Sequence, residues 1–447
     1  MRRAALAALI VLTGALASPA LADDWSVCKD ENAAADTAIE ACSRIIKAGK
    51  TKGADLAITY YNRAISYRQK NDNDSALADY NESIRINPKY AKSFNNRGNI
   101  WKDKGDLDRA IVDYNEAIKL DAKFALAYAN RGDVWDDKGD HNRAIADLDQ
   151  AVRLDPKYSR AYNVRGVVWK KKGDLDRAIA DFTEAIRHDP KSSIAYANRG
   201  DAWDDKGDQD RAIADLTEAV RLNPNYARAY NIRGVINRNR NNTNLALADY
   251  TNAIRSDPQF ALAYLNRGNV YRDQGDQDRA IADLTEAVRL NPNYARAYNI
   301  RGVINRNRNN MPLALADYTN AIRSDPQFAL AYLNRGNVYR DQGDQDRAIA
   351  DYSEALRINP KSDVAYLRRS ESWLKKGDRL AALRDADEAV NLDPNDAANY
   401  AQRAAVMRAL SRNEDAIADL RKGLTLKPND ARKKQLESAL QELGAAP

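Results

Sequence analysis

The sequence predicts an all-α solenoid of stacked helix-turn-helix units, and three observations carry that prediction. A 34-residue unit recurs down most of the 447-residue chain without a slip in register. Each copy holds two apolar stripes at helical spacing, separated by a turn signal. Strand signals are close to absent. The copy from Ala125 to Tyr158, ALAYANRGDVWDDKGDHNRAIADLDQAVRLDPKY, shows the plan. Leu126, Tyr128, Gly132 and Trp135 line the first stripe, and Gly139-Asp140 stops that helix. Ala144, Ile145, Leu148, Ala151 and Val152 line the second, which Asp155-Pro156 closes. Two helices joined by a tight turn cannot bury both of their apolar faces, so each unit needs a neighbour on either side. With 44% hydrophobic and 30% charged residues, the chain has apolar material for a core and none of the depletion typical of disorder.

The elements follow in order. Arg2 and Arg3 precede an apolar run from Ala4 to Ala17, and Ala20-Leu21-Ala22 gives the small-x-small pattern of a cleavage site. Residues 1–22 therefore read as a signal peptide, the alternative being a membrane anchor, for which the run is short. Cleavage would start the mature chain at Asp23, exported to a periplasm or secreted, with no stable membrane insertion. Losing two arginines takes the formal charge from +6 to +4. No basic tract is present, which argues against nucleic acid as a partner.

Residues 23–56 read as an N-terminal capping half-repeat. They hold the only two cysteines, Cys28 and Cys42. In an oxidising compartment these suggest one disulfide, the alternative being two buried thiols. No metal site is expected, since His141 and His188 are the only histidines.

Eleven repeats occupy residues 57–430, beginning at Ala57, Ala91, Ala125, Ser159, Ser193, Ala227, Ala261, Ala295, Ala329, Asp363 and Ala397. A glycine expected to let the paired helices approach recurs from Gly98 to Gly336, with Ala64, Ser370 and Ala404 in the outer copies. Prolines close ten units, from Pro88 to Pro428, Ala122 being the exception. Residues 431–447 read as a polar C-terminal capping helix.

Tyr128, Gly132, Trp135, Ala144, Leu148, Ala151 and Pro156 fall where the tetratricopeptide repeat (TPR) has its signature residues, and the chain resembles that family, in an exported bacterial form. The resemblance implies a right-handed superhelical solenoid whose first helices line a concave groove. One departure stands out. Where the family usually carries leucine before the glycine, every copy here has arginine, from Arg63 to Arg403, and sixteen residues later every copy has aspartate, from Asp79 to Asp419. These positions are expected to form a ladder of Arg–Asp pairs, the alternative being that both point into solvent.

Residues 207–283 repeat as 275–351 with two differences in 77, Thr243 against Met311 and Asn244 against Pro312. A function that tolerates insertion of two repeats suits an extended surface better than a site of fixed geometry. The residues expected on that surface are Asn99, Asn130, Asp133, Asp137, Arg160, Asn163, Lys170, Asn198, Asp201, Arg228, Asn231, Asn266, Asn269, Arg296, Asn299, Asn334 and Asn337. Their charges alternate in acidic and basic bands. Either the bands satisfy one another, or they form a groove for an extended peptide or helix whose backbone the asparagines bond.

The carboxylate clamp of chaperone-binding TPR domains fails here: Asn95 stands where lysine is wanted and Val164 where arginine is, leaving Asn99, Asn130 and Arg160 as the nearest match. Trp101, Trp135, Trp169, Trp203 and Trp373 sit at packing positions and read as core. No catalytic residues and no cofactor are expected. The histidines lie 47 residues apart, and acid pairs such as Asp136-Asp137 diverge by about 100° on a helix. The expected function is a non-enzymatic protein–protein interaction scaffold, monomeric, for a protein or peptide partner. The alternative is a module for an envelope polysaccharide or other charged polymer.

Overall fold

The computed structural model describes residues 19–30 and 32–446, with side chains from residue 23. The signal-peptide reading thus falls largely outside the described residues. No described helix is long and apolar enough to cross a membrane.

The described residues form twenty-five helices and no strand. They divide into two units, Met1–Leu222 and Asn223–Pro447. In the first unit the helix pair Pro19–Lys29 and Ala35–Ala48 precedes five repeats: Gly53–Gln69 with Asn73–Ile86, Ala91–Asp103 with Leu107–Leu120, Ala125–Asp137 with His141–Leu154, Ser159–Lys171 with Leu175–His188, and Ser193–Asp205 with Gln209–Leu222. The second unit holds repeats six to eleven: Ala227–Asn239 with Thr243–Ser256, Ala261–Asp273 with Gln277–Leu290, Ala295–Asn307 with Met311–Ser324, Ala329–Asp341 with Gln345–Ile358, Asp363–Lys376 with Arg379–Leu392, and Ala397–Ala409 with Asn413–Thr425. The helix Asp430–Glu442 follows.

The turn within each pair explains the sharp reversal. Gly139 takes φ +78°, a left-handed conformation that glycine adopts without steric cost. Asp140 then caps the second helix, its carboxylate accepting from the Arg143 backbone N–H at 3.0 Å. Asn71, Asn241, Asn309 and Ser411 hold the left-handed position in four other turns. The helical glycines serve a different need. A Cβ on Gly166 would lie 2.6 Å from the Phe182 ring, and one on Gly132 2.9 Å from Leu148 and 3.1 Å from the Ala144 carbonyl oxygen. Where Ser370 replaces glycine, the facing residue shrinks to Ala386 and the serine hydroxyl donates to the Ala382 carbonyl at 2.8 Å.

At the N-terminus the expected half-repeat is a helical pair. Cys28 and Cys42 are joined at 2.05 Å and buried with Ala41 and Ile45. Their cross-link fixes an eleven-residue helix, too short to persist alone, against its neighbour. The first helix of repeat one starts one turn before Ala57, at Gly53. At the other end Leu436 and Leu440 of the last helix bury against Ala397, Ala401, Ala404 and Leu420, while the rest of that helix is largely polar.

The Arg–Asp ladder is present in all eleven repeats. Arg63 donates through Nε and Nη2 to the two Asp79 oxygens at 2.7 and 2.8 Å. The equivalent pairs, through Arg403–Asp419, approach to 2.6–2.8 Å. The aspartates are 3–8% exposed and the arginine side chains 16–22%. Burial pushes the Asp79 and Asp181 carboxyls upward against the bonds from Arg63 and Arg165. A third contact lies beyond the sequence reading. Nη1 reaches back to the second helix of the preceding repeat, as in Arg97 to Asn81 at 2.8 Å, Arg165 to Asp149 at 2.7 Å and Arg369 to Ser353 at 3.0 Å. Each such arginine therefore joins three helices.

Asp215→Asn, which leaves the Arg199 guanidinium without its carboxylate, is expected to cost roughly 2–4 kcal/mol, less than a fully buried pair because the arginine keeps an outlet to water. Urea unfolding checks this, and an unchanged midpoint contradicts it. Gly166→Ala is expected to cost about 1–3 kcal/mol through overlap with the Phe182 ring, measured the same way. The cap carboxylates Asp106, Asp140, Asp276 and Asp344 are held below the ordinary value of 3.8, chiefly by the backbone N–H of the residue three positions on. A depressed folded-state pKa stabilises above the unfolded value and is lost as pH falls through the folded one. The fourfold Asp→Asn variant at these caps should therefore melt below the parent at pH 7, with the gap closing below pH 3.8. A gap independent of pH would contradict the charge effect.

Candidate functional site

The surface expected to bind is built from the first helices. Residues 2, 5, 6, 9, 12 and 13 of each lie on one side by helical spacing, and side-chain bonds between neighbouring repeats connect these positions. Arg160, second in its helix, donates to Asn130 at 3.0 Å and approaches Asp133 at 3.3 Å on the preceding repeat. The sixth residue of one first helix meets the fifth of the first helix before it: Asn130 donates to Asn95, Asn198 to Asn163, Asn266 to Asn231 and Asn334 to Asn299, at 2.9–3.1 Å.

These bonds change what several expected residues can do. Asn130, Asn198, Asn231, Asn269 and Asn299 are 2–6% exposed, so they lie beneath the surface rather than on it. Four of the five are held in asparagine pairs that join adjacent repeats. Asn99 and Asn337 accept from the buried Tyr114 and Tyr352 hydroxyls at 2.8 and 2.9 Å. Asn269 occupies the same register, but its second helix carries Leu284, and its buried carbonyl oxygen has no hydrogen-bond partner. Asn163, Asn266 and Asn334 remain half-buried, and Arg160, Arg228 and Arg296 are exposed.

The charged bands interlock. Lys102 lies 2.6 Å from Asp133 and 3.2 Å from Asp137. Lys170 lies 2.5 Å from Asp201 and 3.0 Å from Asp205, and Lys171 pairs with Asp136 at 2.6 Å. In the second unit Arg238 pairs with Asp273 and Arg306 with Asp341, both at 2.6 Å. Neighbour-to-neighbour neutralisation is therefore a large part of what these residues do. Crowding by burial and by Asp205 and Asp201 raises the Asp204 carboxyl.

The tryptophans are half-buried rather than fully enclosed. Arginines from the second helix cover four of them: Arg109 lies 3.8 Å from the Trp101 ring centre, Arg143 4.1 Å from Trp135, Arg177 4.2 Å from Trp169 and Arg211 3.6 Å from Trp203. The sequence signal for this cover is the recurrent arginine two residues into the second helix, and sequence reasoning missed it. His141 faces Asp136 at 3.0 Å, whereas His188 stacks on Tyr162 at 5.8 Å, so the two belong to separate neighbourhoods. Among the described residues no cluster of three or more metal-ligating side chains occurs.

Models described as tetratricopeptide repeat or TPR repeat match residues 57–90, 98–135, 130–193, 170–227, 198–259, 249–282, 268–306 and 329–362. A search of curated proteins found no match. Solved structures similar to the chain include the APC/C hetero-tetramer Cut9–Hcn1, at 17% identity, TM-score 0.45 and coverage of 91% of this chain and 93% of that one. A tetratricopeptide repeat protein from Parabacteroides merdae matches at 21% identity and TM-score 0.43 over 56% and 99%. YrrB, described as a TPR protein with an unusual peptide-binding site, matches at 25% identity and TM-score 0.34 over 41% and 95%. On the repeat matches, which span more than half of its length, the chain belongs to the tetratricopeptide repeat family.

Proposed function

We propose that the protein is a non-enzymatic interaction scaffold that binds a peptide, helix or protein partner along its first-helix face. The observation that carries the reading is that, within each unit, side-chain bonds join the first helices of neighbouring repeats, with Arg160 exposed in the first unit and Arg228 and Arg296 exposed in the second. A surface of this kind gains length by adding repeats, and the near-identical blocks 207–283 and 275–351 record such an addition. The buried Cys28–Cys42 disulfide supports export to an oxidising compartment such as a periplasm.

The test is a pull-down from native envelope extract with the immobilised chain. It runs beside a variant carrying Arg160→Glu, Lys170→Glu, Arg228→Glu and Arg238→Glu, with bound protein identified and bound carbohydrate assayed. A defined protein retained by the parent and lost from the variant is the expected result. Equal recovery by both baits, or carbohydrate without an enriched protein, contradicts binding of a polypeptide by this face.

A further inference from the structure

The charge pairs of the first-helix face change stoichiometry along the chain. In repeats two to five lysines bridge pairs of aspartates, Lys102 between Asp133 and Asp137 and Lys170 between Asp201 and Asp205, while Asp133 also accepts from Arg160 at 3.3 Å. In repeats six to ten the sharing reverses. Asp273 accepts from Arg238 at 2.6 Å and Arg272 at 2.7 Å. Asp341 accepts from Arg306 at 2.6 Å and Arg340 at 3.0 Å. Glu371 accepts from Arg340 at 2.7 Å and Arg368 at 2.8 Å. Five guanidiniums thus rest on three carboxylates.

A guanidinium carries five N–H donors in a rigid fork, and a carboxylate already holding two of them cannot neutralise both. Arg238, Arg272, Arg306 and Arg368 keep 31–36% of their side-chain surface open to solvent. A further carboxylate arriving from outside would complete the charge balance and take up unused donors. Apolar side chains accompany these arginines. Leu262 and Leu330 are 39% and 47% exposed at the second position of their helices, the register from which Arg160 bonds the preceding repeat.

We propose that this part of the second unit is a docking strip for an extended acidic peptide segment carrying apolar residues between its carboxylates. The proposal rests on the scaffold reading above and names the chemistry of its partner. Charge complementarity selects an anion, and the exposed leucines select a polypeptide over an anionic sugar polymer, which brings no apolar side chain.

The test is fluorescence anisotropy of the full chain with a labelled peptide of repeating Glu-Glu-Leu-Gly. Binding should weaken as salt rises, and should fall by about tenfold or more when the glutamates become glutamine. The double variant Arg272→Gln, Arg340→Gln should lose about tenfold, while Lys102→Gln, Lys170→Gln should lose nothing. Arg296→Glu, a change at an exposed position that leaves the ion-pair network whole, should also weaken binding and guards against a folding defect. Equal affinity for the glutamine peptide, equal loss in the lysine variant, or dextran sulfate binding as tightly as the peptide overturns the proposal. If a protein captured in the envelope pull-down binds the Arg272→Gln, Arg340→Gln chain undiminished, the acidic-peptide strip falls while the scaffold reading stands.

Discussion

An arginine held between three helices is the contact on which the stack depends. Its Nε and Nη2 close on the aspartate of its own second helix, and where the bond back is seen its Nη1 reaches the second helix before it. Leucine in its place would supply apolar contact without direction. The guanidinium instead imposes a bidentate geometry within the repeat and adds a hydrogen bond between repeats, so spacing and register are set together. The aspartates can be almost fully buried because that fork satisfies both oxygens. Repetition makes the device cooperative, since arginines such as Arg97, Arg165 and Arg369 tie their own repeat to the one before it.

A second order is laid over this uniform ladder, with a period of two repeats. Asparagines alternate between the fifth and sixth positions of successive first helices and meet in pairs. Lysine or arginine at the twelfth position of the even repeats through eight meets an aspartate of the next repeat. The building block of the chain is therefore a pair of repeats, which fits the 68-residue offset of its internal duplication. Insertion of a single repeat would break this fifth-to-sixth alternation. Insertion of two keeps the asparagine pairs and the twelfth-position ion pairs in register.

The same alternation shapes the first-helix face proposed to bind a partner. Most of its charge is spent internally, and several asparagines are covered by the bonds that join the repeats. Open to solvent on that face are arginines such as Arg296 and leucines such as Leu262 and Leu330, beside half-buried asparagines that are themselves paired. That set differs between the units because the duplicated blocks carry one aspartate where repeats three and five carry three, and arginine where those repeats carry aspartate.

The sequence by itself determined the helix pairs, their number and their family. Periodicity of apolar residues, glycine at left-handed turns and the aspartate caps are local signals that repetition makes unambiguous. It also paired Arg63 with Asp79 and its ten equivalents, because both positions recur at one spacing on facing helices. Only the tertiary structure decided which polar residues are available. Asn163 and Asn231 both stand fifth in their helices, yet one is half-open and the other buried, because exposure depends on the neighbouring repeat, whose asparagine bonds each of them at an offset of 35 residues. The arginine cover of the tryptophans and the two-to-one sharing of carboxylates likewise arise where side chains from different helices converge. Distance through the chain does not encode such convergence; packing does.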